Sequence, residues 1–118
     1  MPQKRERLQK EQEKAGDLGI IKSLAQEGAA KGITANAICP GPVEGERMNF
    51  VAQRESEQKG KAAREILDEY ASGASMRKLV RPQDVANMAV FLASDKAALV
   101  SGQVIAVDGH TENPEPRS

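Results

Sequence analysis

The sequence predicts an α/β fold with about two parallel strands, and three segments carry this prediction. Residues 33–39 and residues 103–107 are short apolar segments that end at Pro40-Gly41 and at Asp108-Gly109. Residues 82–93 lie between them and repeat apolar side chains at helical spacing. A strand, a connecting helix and a second strand are typical of a parallel sheet. Periodicity alone would also allow a buried helix at 33–39, but the flanking glycine and prolines favour a strand.

Composition limits the class of protein before any motif is considered. The 118 residues contain 17 Lys and Arg and 17 Asp and Glu, so charge does not favour binding to nucleic acid or to an anionic membrane. The single cysteine, Cys39, excludes an internal disulfide and favours the cytoplasm over a secreted location. No apolar run approaches the roughly 20 residues that span a bilayer. We expect a soluble cytoplasmic protein of one domain.

The N-terminal third is divided by its hydrophobic pattern. Residues 1–14 are almost wholly polar and form a charged extension, which is either frayed or a solvated helix supported by mixed charges. From Asp17 onward apolar residues recur at helical spacing, which predicts a helix that ends between Gly28 and Gly32. Residues 15–113 are therefore interpreted as the folded portion, and residues 114–118 as a disordered tail.

The middle of the chain is predicted to be a helical insertion. Residues 44–76 contain two candidate helices, 47–58 and 61–71, divided at Gly60, and their sparse apolar residues suggest a mobile and mostly exposed segment. Pro82 then fits the first turn of a helix, where Gln83 and Asp84 complement the positive end of the helix dipole. Val85, Met88, Ala89 and Leu92 form the apolar stripe of that helix, and Val90, Phe91 and Ala93 broaden it.

These segments together resemble a known family. The residues Asn36-Ala37-Ile38-Cys39-Pro40-Gly41-Pro42-Val43, the segment 79–86 and the segment 101–109 resemble the C-terminal part of the short-chain dehydrogenase/reductase family, which has a doubly wound, Rossmann-like fold. The resemblance implies an oxidoreductase that moves a hydride between NAD or NADP and a carbonyl or alcohol. It implies that Pro40, Gly41, Pro42 and Val43 face the nicotinamide, with the backbone near Val43 meeting the carboxamide.

Two positions depart from the family pattern. His110 stands where the family usually has a second glycine. As the only histidine it is a candidate for a catalytic role, but we expect it to be a surface residue. Gly45 stands where many members have a threonine whose hydroxyl reaches the cofactor pyrophosphate. The flanking Glu44 and Glu46 would repel a pyrophosphate unless they point away from it or meet a cation.

The resemblance also implies a catalytic tyrosine followed by a lysine four residues later. Counting back without gaps from Ser23-Leu24-Ala25 places the lysine at Lys14, while the tyrosine position falls on Lys10. An ammonium group cannot replace a phenol that passes a proton to the substrate oxygen. Lys14 is therefore either a family residue or a coincidence in a charged segment. Tyr70, the only tyrosine, has no lysine four residues on.

Other family motifs are absent from the 118 residues. There is no Gly-rich phosphate-binding turn, and the catalytic serine segment is missing, which we interpret as truncation. Two functions remain open: an oxidoreductase that is inactive alone, or a non-catalytic remnant that serves as an oligomerisation module. Incomplete sheets with bare edges invite association, so we expect a homo-oligomer or a complementing chain, with no metal, nucleic acid or membrane as partner.

Overall fold

The computed structural model of the chain describes residues 2–111, with side chains from residue 16 onward. Its elements in order are α1 (Pro2–Ala29), β1 (Ala37–Pro40), α2 (Glu46–Lys59), α3 (Ala63–Ser72), α4 (Pro82–Ala93), a single 3-10 turn (Asp95–Ala97) and β2 (Val104–Val107). β1 and β2 pair in a two-stranded sheet. The predicted α/β class with two parallel strands is confirmed.

The described chain divides into two compact units. One contains residues 2–38 and 89–105, and the other contains residues 39–88 and 106–111. In the first unit, Gly102 N donates to Ala35 O at 2.7 Å and Ala37 N donates to Gln103 O at 2.9 Å. These bonds start the parallel ladder of the sheet.

α1 is longer than the sequence pattern predicts. Its backbone is helical from Pro2, so no break in secondary structure separates the charged extension from the apolar part. Residues such as Lys, Glu and Gln are good helix formers, which explains the continuation. The helix ends as predicted near Gly32: Ile33 N donates to Gly28 O at 3.0 Å, and Gly32 N donates to Ala29 O at 3.1 Å. This pair of bonds is a Schellman motif.

β1 begins four residues later than predicted, at Ala37 rather than residue 33. Before Ala37, side-chain hydrogen bonds outnumber the single backbone bond from Gly102 N to Ala35 O. Ala35 N donates to the Ser101 hydroxyl at 3.1 Å, and Asn36 Nδ2 donates to Val100 O at 2.9 Å. The Asn36 amide oxygen also accepts from Gln103 N at 3.1 Å. The residues before β1 are thus tied to the approach to β2 without forming strand.

α2 and α3 form the helical insertion, close to the predicted bounds and divided at Gly60. The segment is mostly exposed, as predicted, but it contains a small buried core. Ala52 of α2 and Ile66 of α3 have no exposed surface. Burial of an isoleucine contributes about 2 kcal/mol. With Ala74 and Val80, these two residues make up the buried apolar side chains of the second unit.

α4 begins at Pro82, as predicted. Val85, Met88 and Leu92 of the predicted stripe are half-buried, whereas Val90 and Phe91 are exposed by 70% and 43%. The sequence indicated a broad apolar face, and the structure covers only part of it. Within residues 2–111, no helix is both long and apolar enough to cross a membrane.

Candidate functional site

The loop of residues 40–43 follows β1 and is held on one side by residue 80. Gly41 N donates to Val107 O at 3.0 Å, which continues the sheet ladder past the end of β1. Val80 N then donates to Pro42 O, and Glu44 N donates to Val80 O, both at 2.8 Å. These two bonds form an isolated parallel bridge between Val43 and Val80. Val80 is buried, with 5% of its surface exposed, so this attachment is shielded from water.

The bridge leaves the peptide groups of Val43 itself available. In a parallel bridge, the hydrogen bonds to the opposite residue come from the two neighbours, so the N–H and C=O of the central residue point away from it. Among residues 2–111, no backbone hydrogen bond uses Val43 N or Val43 O. Val43 therefore presents one donor and one acceptor side by side, on a loop stiffened by Pro40 and Pro42.

Gly41 is required by packing against the end of β2. A Cβ at this position would lie 2.9 Å from the Cβ of Asp108 and 3.1 Å from its Cα. Without a side chain at position 41, the loop can approach the residue that follows β2.

Gly45 has a conformation that explains the absent threonine. Its φ is 145° and ψ is −171°, a region that β-branched residues do not adopt without strain. It is the N-cap of α2, and no side chain caps this helix end. Glu44 and Glu46 are both exposed. The hydrogen bonds to Asp84 are the main cause of the raised pKa of Arg81, and the charge of Glu44 adds a smaller effect, so Glu44 lies near a cation.

An open groove of about 750 Å³ adjoins this loop within the second unit. Its apolar surface includes Leu67 and Ala71 of α3 together with Val80 and Val107. Charged residues of both signs surround that surface: Glu44, Asp68, Arg77, Lys78, Arg81, Asp84 and Asp108. A groove of this size is suited to a small organic molecule, but mixed charge does not select an anion or a cation.

Asp84 forms a cap at the start of α4 that the helix-dipole prediction only partly described. Its Oδ2 accepts from the backbone N of Arg81 at 2.9 Å, and its two oxygens accept from Arg81 Nη2 at 2.6 Å and Nε at 3.2 Å. The hydrogen bonds from Arg81 lower the pKa of Asp84. The Asp84 carboxylate thus accepts a hydrogen bond from the Arg81 N–H and also interacts favourably with the helix dipole.

Val80 is the site residue that sequence reasoning missed. A bridge of one residue pair leaves no hydrophobic periodicity in the sequence. The apolar pair Leu79-Val80 therefore looks like ordinary loop residues that pack against a core. The only available signal was its position directly before the predicted start of α4.

Lys14 and Tyr70 are the remaining residues that the sequence singled out. Lys14 lies in α1, and its side chain is outside the part that the structure describes. The Tyr70 hydroxyl donates to Glu55 Oε1 at 2.7 Å, which raises the pKa of Tyr70 and joins α3 to α2. Tyr70 is therefore a structural residue of the helical insertion.

His110 is exposed, as expected, and has a φ of 70°, which is uncommon for a residue with a side chain. Its Nδ1 lies 2.7 Å from the Ser75 hydroxyl, and its carbonyl accepts from Ser75 N at 2.9 Å. The left-handed conformation fits the glycine usual at this position in the family that the sequence resembles. Among the side chains of residues 16–111, no group of three or more His, Cys, Asp or Glu could hold a metal ion.

Comparison with known proteins places the chain in a family. A family model described as enoyl-(acyl carrier protein) reductase matches residues 10–110. Acetoacetyl-CoA reductase of Rhizobium meliloti is 44% identical over 96 residues, which cover 81% of this chain but 36% of that enzyme.

Solved structures show the same relation. A short chain dehydrogenase family protein of Francisella tularensis superposes with a TM-score of 0.77 at 28% identity, over 83% of this chain and 40% of that protein. L-sorbose reductase of Gluconobacter frateurii, solved with NADPH and L-sorbose, superposes with a TM-score of 0.76 at 28% identity, over 85% of this chain and 38% of that enzyme. This chain spans little more than a third of the length of each relative.

Proposed function

This chain belongs to the short-chain dehydrogenase/reductase family, and on that premise we propose that its loop of residues 40–43 faces the nicotinamide of NAD or NADP. The activity to which it contributes is hydride transfer between that cofactor and a carbonyl or alcohol. The observation that supports this proposal most directly is the pair of available peptide groups at Val43.

The chemistry of the nicotinamide fits these groups. A primary carboxamide carries one carbonyl acceptor and one NH₂ donor, so the N–H and C=O of one residue can pair with it. Val80 holds the loop from the opposite side, and the prolines limit its freedom, so Val43 is ordered before any ligand binds. The bound cofactor supplies the hydride chemistry, and the residues of this chain bind and orient the ring.

The groove beside the loop is where we propose the substrate lies. It brings the apolar residues Leu67 and Ala71 of α3 to the same cavity as Glu44 and Val80. The substrate specificity of the activity would then be set by α3 and by the segment that precedes α4. The mixed charges do not identify one substrate.

For this activity the 118 residues need motifs that they do not themselves contain. The Gly-rich phosphate-binding turn and the serine and tyrosine of proton transfer are not among the 118 residues, and Lys14 is the one catalytic residue it could contribute. Without them the cofactor would be held by its nicotinamide end only. We propose that the chain is inactive alone, and that the activity is cytoplasmic.

An exposed apolar surface in the first unit supports an association with a second chain, either a second copy or a complementing one. Ile20 and Leu24 of α1, Val90 and Phe91 of α4, and Val104 of β2 are all exposed large apolar residues. Five exposed large apolar side chains in one small unit are unusual for a protein surface that has no binding partner. The same observation favours a second candidate function, a non-catalytic oligomerisation module.

Titration with NADPH and NADH tests the proposal, followed through the fluorescence of the reduced cofactor because the chain contains no Trp. The chain is mixed with the part of the Rhizobium meliloti relative that it does not cover, where the family resemblance places the missing motifs. We expect saturable binding by the mixture and weak or no binding by either part. Val43→Pro removes the free N–H, although it also replaces the side chain and fixes φ, and it should weaken binding by about tenfold, a loss typical of one hydrogen bond.

Val43→Ile is the matched control, since it alters the side chain and leaves the backbone N–H in place. Binding that is equal in the two variants would contradict the role of Val43. A mixture that associates without binding either cofactor would support the non-catalytic module instead.

A further inference from the structure

The cap at the start of α4 and the bridge that holds Val43 share a common stretch of backbone. The backbone N–H of Arg81 donates to the Asp84 carboxylate, and this bond is part of the cap. The residue directly before Arg81, Val80, makes both hydrogen bonds of the bridge. The peptide plane between residues 80 and 81 includes the Val80 carbonyl, which accepts from Glu44 N, and the Arg81 N–H, which donates to Asp84. Because this plane is rigid, fixing the N–H also fixes the carbonyl.

From this geometry we propose that Asp84 and Arg81 are positioning residues for the cofactor-facing loop, acting through the peptide that joins Val80 to Arg81. This inference rests on the proposed function, since the loop matters only if it faces a cofactor. Neither residue contacts the loop's free peptide groups. Their role is to hold the Val80 carbonyl in line with Glu44 N.

The strength of the cap supports this role. Asp84 accepts three hydrogen bonds from Arg81, at 2.6, 2.9 and 3.2 Å, and two of them come from the guanidinium. Hydrogen bonds in which both groups are charged are stronger than neutral ones, and a pair of them fixes direction as well as distance. The bridge itself is a single residue pair with no neighbouring ladder, so its geometry depends on what holds each end.

A merely structural cap would act differently. It would stabilise α4 as a helix, and its loss would loosen the whole unit evenly. A positioning cap would loosen the bridge first and leave the α2–α3 contact unchanged. Hydrogen exchange of individual amides separates these cases, because it reports local opening residue by residue.

The experiment measures amide exchange by NMR in the full chain, in three test variants and in one control variant. Asp84→Ala removes every bond of the cap, and we expect the Glu44 amide to exchange about tenfold faster. The amide of Ala52, within α2, should change less than about twofold. Asp84→Asn keeps an acceptor for Arg81 N and should restore most of the protection. Arg81→Met keeps the backbone N–H and should give an intermediate rate.

Gln83→Ala is the matched control in the same helical turn, since the Gln83 side chain bonds to Asn87 and not to the cap. An unchanged Glu44 amide in Asp84→Ala overturns the proposal, as does an equal increase at Glu44 and Ala52. If Asp84→Ala does not fold, the other two variants decide the question. A Glu44 amide that exchanges at the parental rate in both Asp84→Asn and Arg81→Met overturns the proposal.

A second measurement separates this inference from the proposed function. NADPH binding is followed in the complemented mixture with the same variants. If the parental mixture binds NADPH, Asp84→Ala should weaken binding about fivefold or more, and unchanged binding overturns the link to the cofactor. If the parental mixture does not bind, the proposed function fails, and the exchange rate of Glu44 still decides whether the cap positions the loop.

Discussion

At the scale of single residues, Gly41 shows how one atom determines the path of the candidate loop. The space that a side chain would need is already taken by Asp108, so the loop can follow the sheet closely only without a Cβ. Sequence reasoning placed this glycine in the candidate loop but did not identify its contact with Asp108, because a packing partner 67 positions away cannot be read from a local motif.

Gly41→Ala should therefore destabilise the chain. A methyl group placed 2.9 Å from the Asp108 Cβ forces the loop or the end of β2 to move, at a cost of about 1–3 kcal/mol. Urea unfolding followed by circular dichroism measures this as a lower midpoint. Gly73→Ala is the matched control, since Gly73 has an ordinary φ of −67° and a Cβ there comes no closer than 3.4 Å to another atom. Equal midpoints for the two variants would contradict the packing explanation.

At the scale of elements, the α2–α3 pair is better ordered than its composition suggests. Few apolar residues lie in this segment, yet Ala52 and Ile66 are fully buried, and polar contacts on the surface add to them. Lys61 Nζ lies 2.6 Å from Glu69 Oε1, and Tyr70 bonds to Glu55. The sequence predicted both helices and their division at Gly60, because helix signals are local. It did not predict which faces meet, since that depends on the turn between them.

Tyr70→Phe should weaken this pair of helices by about 1 kcal/mol, because it removes a hydrogen bond to a carboxylate. The bond to Glu55 raises the pKa of Tyr70. A raised pKa means that the stabilisation is complete below the unfolded-state value of about 10 and is lost as pH rises through the higher folded value. Urea midpoints of parent and variant should thus differ at pH 8 and converge in strong alkali. Glu55→Gln combined with Tyr70→Phe completes a double-mutant cycle, and a coupling energy near zero would contradict this account.

At the scale of the whole molecule, the balance between buried and exposed apolar side chains determines how the chain behaves in water. Ala97 is the one buried apolar side chain of the first unit among the described residues, whereas Leu99 is 99% exposed. Two strands form the sheet, and parallel sheets are normally covered on both faces. The apolar surface that remains is the physical reason to propose a second chain as partner.

Val90→Asp should reduce self-association. Val90 is 70% exposed on α4, so a carboxylate there costs little in the monomer but would be buried without a partner in an interface. Sedimentation velocity over a range of concentrations measures the effect as a shift towards the monomer mass, with a dissociation constant raised by about tenfold or more. Asn87→Asp adds the same charge at another exposed position of α4 and should leave the mass distribution unchanged. A parent chain that is already monomeric would refute the proposed homo-oligomer.

The sequence by itself determined the elements and the family. Glycine and proline end segments, and apolar periodicity distinguishes helix from strand, so the order of elements follows from local physical chemistry. The motif from Asn36 to Val43 identified the candidate loop for the same reason. Only the tertiary structure decided how that loop is held, because the contacts of Val80 with Pro42 and Glu44, and of Gly41 with Asp108, join residues that are far apart in sequence. Hydrogen bonds and close packing at such distances depend on the folded backbone, and no local pattern encodes them.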